Sequence, residues 1–142
     1  MTELTNRQRI SKAVLRSAIR KSFPWRRYPR SRIILRDATY LKYDFNELME
    51  CVKDSDVIKR EYVPEFYDCN TGADALAADL RWKCIGSPFG TVTFSYVQDG
   101  QWLIHAMCVF YDAQHKCFRY VESKNGLVKT WKQSWKLAEM RF

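Results

Sequence analysis

A chain of 142 residues, 46% hydrophobic and 15% aromatic, is long enough to bury one core without disulfide or metal staples. Scarce Pro and Gly exclude wholesale disorder, and the lack of an 18-residue apolar run excludes a transmembrane helix. The net charge of +8 is uneven, because residues 1–36 hold eleven Lys and Arg against one acid and residues 37–142 hold thirteen against fifteen. This asymmetry predicts a basic helix and arm over 1–36 and a main domain over 37–142, within one compact unit.

The cysteines and histidines indicate free thiols and no metal. Five cysteines are an odd number, and no pair has CxxC spacing. The N-terminus is polar and basic, without an apolar leader, so we expect a reducing, cytoplasmic setting, the host cytoplasm if the chain is phage-encoded. Only two histidines occur, so a zinc cluster is not expected, and we predict no cofactor.

The N-terminal segment predicts an amphipathic helix over about residues 5–22, opened by Thr5 and Gln8 and ended near Pro24. Basic side chains gather on one side of this helix and continue into the irregular segment after it. They are Arg9, Lys12, Arg16, Arg20, Arg26, Arg27, Arg30 and Arg32. They form either an ordinary solvated face or a binding surface for an anionic partner: nucleic-acid phosphates, an anionic membrane surface or an acidic protein. The sequence does not choose among them.

Two further helices are predicted before the strands. Asp44 as N-cap, with Glu47 three residues later, predicts a helix over 45–53. Another helix should begin at Cys69, and its buried stripe consists of Ala73, Leu76, Ala77 and Leu80.

The second half of the chain reads as strands. Segments 90–97, 102–111 and 116–122 are rich in β-branched and aromatic residues, and the first two are joined by the hairpin signal Asp99-Gly100. A last strand is expected near 137–142. Helices followed by an antiparallel meander predict an α+β fold, with the Cys-bearing helix packed on the sheet.

Cys69 and His105 are the candidate reactive residues. A helix N-terminus stabilises a thiolate, because unpaired N–H groups and the helix dipole favour the anion. His105 lies within an otherwise apolar strand, where its second ring nitrogen needs a partner.

Glu122 is the predicted partner of His105. If residues 112–115 form the turn, Tyr111 pairs with Lys116 and the indices of paired residues sum to 227. His105 then faces Glu122 across the hairpin, where opposed side chains on one face approach closely. A base, an orienting carboxylate and a nucleophile form a catalytic triad.

The segments Tyr67-Asp68-Cys69-Asn70, His105-Ala106 and Val121-Glu122 resemble, in this order, the papain-like cysteine peptidase superfamily. The resemblance covers about residues 45–142. It is nearest to the C-terminal protease domain of fungal agglutinins and its bacterial and phage relatives, and it extends to NlpC/P60 and CHAP amidases. It implies a papain-like fold with Cys69 as nucleophile, His105 as base, Glu122 as orienter and Asn70 as an oxyanion-hole donor. Calcium is implied by the fungal relatives alone.

Two functions follow as expectations. The first is a small cysteine hydrolase, a peptidase or amidase, that acts on a peptide or protein substrate through an acyl-enzyme on Cys69. The second is a non-catalytic papain-like scaffold that binds nucleic acid or a host protein through residues 1–36. A free cysteine is more often a small buried hydrophobe than a nucleophile, which favours the second reading for Cys69 taken alone.

Overall fold

The computed structural model describes residues 6–63 and 68–142. Its α-helices are α1 (Lys12–Ser22), α2 (Phe45–Lys53) and α3 (Cys69–Lys83), and one 3-10 helix spans Asp56–Lys59. Its strands are β1 (Arg9–Ser11), β2 (Arg32–Ile34), β3 (Thr39–Leu41), β4 (Phe89–Gln98), β5 (Gln101–Asp112), β6 (Cys117–Val121), β7 (Val128–Lys129) and β8 (Lys136–Arg141).

The main sheet is mixed, with six strands in the order β2-β8-β4-β5-β6-β7, and β1 and β3 form a separate two-stranded sheet. β2 runs parallel to β8, and the other neighbours run antiparallel. The predicted architecture, papain-like α+β with helices packed on an antiparallel meander, is therefore wrong. The error has a physical cause: β2 is a short basic segment whose partner strand lies far along the chain, so local patterning does not reveal it.

The first helix begins later than predicted. Residues Arg9–Ser11 pair with β3, and Ser11 then caps α1 by accepting a hydrogen bond from the Val14 N–H. Leu15 and Ile19 form the buried stripe, whereas Val14 is 53% exposed. Thr5, the expected start, lies outside the described residues. The expected helix over 5–22 is thus corrected to Lys12–Ser22.

The two later helices are confirmed. α2 starts after Asp44, whose N–H donates to Glu47 Oε1 at 3.0 Å. α3 starts at Cys69, and the Asp68 side chain accepts from the Thr71 N–H. The buried residues of α3 include Ala73, Leu76, Ala77 and Leu80, which is the predicted stripe.

The β4–β5 hairpin is also confirmed. Gln98 pairs with Gln101, and both central residues, Asp99 and Gly100, have positive φ (52° and 78°). A two-residue turn with this backbone matches the right-handed twist of the strands, which explains why the Asp-Gly signal predicts it.

The sheet separates two cores. Alternate residues of β5 divide between them, because successive strand side chains point to opposite faces. Met107, Val109 and Tyr111 join core 1, which also holds Leu15 and Ile19 of α1. Core 2 lies on the other face, between the sheet and helices α2 and α3. Its β5 members are Ala106, Cys108 and Phe110.

The basic N-terminal segment packs against the rest of the protein. β1 pairs with β3, β2 pairs with β8, and the Arg36 N–H donates to the Phe142 carbonyl at 3.1 Å. The division at residue 36 stays a prediction about charge, since core 1 spans both sides of it. No helix in the described part of the chain is long and apolar enough to cross a membrane.

Candidate ligand-binding site

His105 and Glu122 form a close pair at the open end of the β5–β6 hairpin. The His105 Nε2 lies 2.8 Å from Glu122 Oε1 and 3.0 Å from Oε2. Both side chains are largely buried, with 27% and 12% exposed. When the imidazole is protonated this contact is an ion pair; in either state Glu122 orients the ring.

The contact forms although the predicted register is wrong. Tyr111 pairs with Phe118, so paired indices sum to 229 rather than 227. β5 continues through Asp112, whose buried side chain accepts a hydrogen bond from the His115 N–H. The turn therefore lies one residue later in the chain than predicted.

Glu122 reaches His105 because the chain turns after β6. The β5–β6 ladder ends at Cys108 and Val121, and the Glu122 N–H bonds the Leu127 carbonyl. The Glu122 carbonyl in turn accepts the Gly126 N–H. Gly126 has a φ of 71°, a conformation that glycine adopts at little cost.

The pair opens into a groove of about 370 Å³. Aromatic faces and polar ends line it together: Phe94, Tyr96, His105, Met107, Glu122, Lys129, Thr130, Lys132 and Trp135. Trp135 stacks on Phe94 with ring centroids 4.2 Å apart, and His105 meets Phe94 edge-on at 5.7 Å. An apolar floor with a few convergent polar groups is the usual make-up of a small-ligand site.

Cys69 is not among the residues that line this groove. It begins α3 and packs beside core 2. His105 and Met107 lie on the other face of β5, which borders core 1. No hydrogen bond joins Cys69 to His105 in the described part of the chain. The predicted contact between His105 and Glu122 is present, and the role of Cys69 as nucleophile stays without a hydrogen bond to this pair among the described residues.

The start of α3 does approach the segment that follows Glu122. Gly72 is buried, and a Cβ there would lie 2.8 Å from Ser123 Oγ, too close to fit without movement. The Tyr62 and Ser123 hydroxyls are 2.8 Å apart. Gly72 is thus required by the close packing of α3 on this loop, a role that its place in the predicted helix did not reveal.

Asn70, expected as an oxyanion donor, lines a different and smaller cavity. That cavity also contains Asp74, Thr91 and Arg141. It lies between α3 and strands β4, β5 and β8, and its lining includes Ala106, which follows His105 in β5. Asn70 itself does not line the His105–Glu122 groove.

The groove residues that the sequence reading missed are Tyr96, Lys129, Thr130 and Lys132. The sequence also assigned no binding role to Phe94 or Trp135. The alternation of β4 gives Phe94 and Tyr96 one face, which is a readable signal. Lys129, Thr130 and Lys132 have no such sequence signal, because only the tertiary structure brings segment 129–135 close to β5.

The eight predicted anion-binding residues lie on α1 and on the segment after it. Arg27 Nη2 donates to the Gln133 carbonyl at 2.7 Å, and Arg32 lies 4.0 Å from Glu139. Arg20 stands over the Trp25 ring at 5.7 Å. The other five form no ion pair with an acid in the described ranges; they are Arg9, Lys12, Arg16, Arg26 and Arg30.

Metal ligands do not gather among the described residues: no three His, Cys, Asp or Glu side chains are placed to share an ion there. The prediction that the protein has no cofactor remains untested. The calcium dependence implied by the fungal relatives also remains untested.

The sheet and its flanking helices define a fold that is known from solved structures. A structure described as "PSL1a-E64 complex" has a TM-score of 0.72 and 15% identity over 92% of this chain and 49% of its own. A second, of Polyporus squamosus lectin bound to the epitope Neu5Aca2-6Galb1-4GlcNAc, has a TM-score of 0.67 and 14% identity over 92% of this chain and 48% of its own. This chain therefore spans about half the length of each, and at such identities the likeness shows the fold alone. No protein-family model and no curated protein matches the chain.

These comparisons correct the family prediction. The second of these structures is described as a lectin, neither description names a papain-like cysteine peptidase, and no papain-like family model matches. The predicted cysteine hydrolase, whether peptidase or amidase, falls with that assignment, because the sequence case for catalysis depended on it.

Proposed function

We propose that the protein is a binding protein, and that the groove around His105 and Glu122 holds a carbohydrate. The observation that supports it most is the lining of the groove, in which Trp135 and Tyr96 supply flat apolar surface beside the His105–Glu122 pair. The lectin likeness adds support, although the sugar complex belongs to a chain about twice as long.

The chemistry of the groove suits a sugar. One face of a pyranose ring carries C–H groups that pack on an aromatic ring, while its hydroxyls need hydrogen-bond donors and acceptors at the edge. Glu122 offers carboxylate oxygens as acceptors, and Lys129 and Lys132 offer ammonium donors. These lysines also favour a sugar with a carboxylate, such as the Neu5Ac of the lectin's epitope.

The test is a titration of the intact protein with Neu5Aca2-6Galb1-4GlcNAc, followed by tryptophan fluorescence and calorimetry. Galb1-4GlcNAc is the matched control that lacks the acidic sugar. We expect saturable binding that Trp135→Ala weakens at least about 10-fold, which corresponds to about 1.4 kcal/mol. Trp82→Ala is the control variant, because Trp82 is 82% exposed on α3.

Failure would be plain. No saturation by either glycan at millimolar concentration contradicts the proposal, and so does an equal loss of glycan affinity in Trp135→Ala and Trp82→Ala.

A second experiment asks whether a cysteine reacts covalently. The protein is incubated with E64, the compound named with the first neighbour, and its mass is measured by intact mass spectrometry. A stable mass increase on Cys69 would contradict a pure binding role, since the groove holds no thiol.

The basic residues of 1–36 are proposed as a second surface, for an anionic partner. The supporting observation is that seven of the eight, all except Arg32, form no ion pair with an acid among the described residues, and that Arg9, Arg16, Arg26 and Arg30 are exposed. Affinity for polyglutamate and for a single-stranded oligonucleotide is measured from 50 to 300 mM salt. Binding that falls steeply with salt, and weakens in Arg16→Gln with Arg26→Gln, supports the surface; a flat response contradicts it.

A further inference from the structure

Two cysteines of core 2 touch each other. Cys51 lies on α2, and Cys84 directly follows α3. The Cys84 Sγ donates a hydrogen bond to the Cys51 Sγ at a separation of 3.0 Å, across 33 positions of sequence. Both are free thiols, as are the other three cysteines. The spacing of the two in the sequence carries no motif, so only the packing of α2 on α3 brings them together.

We propose that Cys51 and Cys84 form a reversible disulfide when the protein meets a peroxide. The Cys51 thiolate attacks one peroxide oxygen, the O–O bond breaks, and hydroxide leaves with a sulfenic acid on Cys51. The Cys84 sulfur then attacks the Cys51 sulfur and displaces the sulfenic oxygen. That oxygen already carries one hydrogen, so it takes the Cys84 proton and leaves as water. The hydroxide from the first step takes up the proton that Cys51 had released to solvent, so the two thiols and one peroxide yield one disulfide and two waters.

Burial assigns the two roles. Cys84 is only 4% exposed, whereas Cys51 is half-buried, so an oxidant reaches Cys51 first. Burial, and the hydrogen bond with Cys51, raise the pKa of the Cys84 thiol to about 12. Cys84 is thus a poor first nucleophile and is placed as the thiol that resolves the sulfenic acid.

The remaining cysteines lack such a partner. The Cys108 thiol is fully buried and donates to the Ala73 carbonyl. Cys69 and Cys117 are half-buried, and in the described part of the chain neither has a sulfur within hydrogen-bond reach. Oxidation should therefore give a disulfide at one site and, at most, slower single-thiol products at Cys69 and Cys117.

The bond would hold α2 against the end of α3. That junction already carries one hydrogen bond, from the Tyr43 hydroxyl to the Ile85 carbonyl at 2.6 Å. A cross-link between distant positions restricts the unfolded chain, so the oxidised protein should melt at a higher temperature than the reduced one.

The experiment treats the reduced 142-residue protein with a small molar excess of hydrogen peroxide. Intact mass, free-thiol count and non-reducing peptide mapping are followed together. We expect a loss of two mass units and two thiols, a linked peptide pair containing Cys51 and Cys84, a rise in melting temperature of several degrees, and full reversal by dithiothreitol.

Matched variants separate this site from general thiol oxidation. Cys117→Ser should leave the cross-link and the temperature shift unchanged, whereas Cys51→Ser should abolish both. Cys84→Ser should trap Cys51 as a sulfenic acid that dimedone labels. The proposal is overturned if peroxide oxidises Cys69 or Cys117 while Cys51 and Cys84 stay reduced, or if Cys84→Ser forms the same two-unit mass loss.

Discussion

The β5–β6 hairpin carries two histidine–carboxylate pairs, one at each end. At the turn, His115 Nδ1 lies 2.8 Å from Asp112 Oδ2; at the open end, His105 Nε2 lies 2.8 Å from Glu122 Oε1. The distances are equal, but the surroundings are not. Asp112 is buried and also accepts from Arg119 at 3.1 Å. In the described part of the chain Glu122 has only His105 as a side-chain partner, and it borders the groove.

The difference separates a structural pair from a binding pair. Asp112 receives the His115 N–H, the His115 ring and the Arg119 guanidinium, so its acceptor capacity is used within the protein. Glu122 keeps free acceptor capacity at the edge of a cavity with an aromatic wall. The same residue chemistry therefore has different consequences, and its place in the fold decides which.

The largest effect should come from Asp112→Asn. This change removes a buried charge that the His115 and Arg119 side chains contact, and it should lower the free energy of unfolding by about 2–3 kcal/mol. Glu122→Gln, the matched change at the other end, should lower it by less than about 1 kcal/mol, because water can reach the groove. Urea unfolding of both variants measures the difference. Equal losses would remove the distinction between the two pairs.

The second effect concerns ligand binding, where Glu122→Gln should cause the larger loss and Asp112→Asn the smaller. Glu122→Gln should weaken binding of the sialylated trisaccharide about 10-fold, or about 1.4 kcal/mol, whereas Asp112→Asn should leave it within about twofold. Cys69→Ala should also leave affinity unchanged, since Cys69 lies outside the groove. Calorimetric titration at 25 °C measures all three. A strong loss in Cys69→Ala would contradict the assignment of the groove.

The third effect is a pH dependence that belongs to Asp112. Burial by itself raises the pKa of this carboxyl, but hydrogen bonds from His115 and Arg119 outweigh burial and hold it below its ordinary value. A lowered folded-state pKa gives stabilisation that is complete above the unfolded value of about 3.9 and is lost as the pH falls further. The stability gap between wild type and Asp112→Asn should therefore shrink from pH 5 to pH 3, by at most about 1 kcal/mol. A gap that stays constant over this range would contradict the assignment.

The smallest effect is expected for His115→Gln. The His115 side chain is 57% exposed, and Asp112 keeps its bond to Arg119 when the ring is lost. We expect a loss of about 0.5 kcal/mol and no change in ligand affinity. His105→Gln is the comparison, because it should reduce affinity with a similarly small change in stability. Thermal unfolding and titration of the two variants check both statements.

Local sequence patterns were sufficient to predict α2, α3 and the β4–β5 hairpin. Capping residues, a buried stripe and an Asp-Gly turn each depend on residues only a few positions apart in the chain. Local patterns failed at the N-terminus, where Arg9–Ser11 pairs with β3 instead of extending the helix. They also failed for β2, whose parallel partner β8 lies far along the chain. Pairing across such distances depends on which strands share a core, and short basic segments carry little sign of it.

The candidate site shows the same division. The sequence by itself determined that His105 is a polar residue in an apolar strand, because alternation is a local rule. It named Glu122 as the partner through a pairing register that the structure shows to be wrong, and the turn after β6 makes the contact. Only the tertiary structure decided that Cys69 lies beside the other core, that segment 129–135 completes an aromatic groove, and that Cys51 meets Cys84. These contacts arise from packing helices and loops on a shared sheet, and no spacing along the chain encodes them.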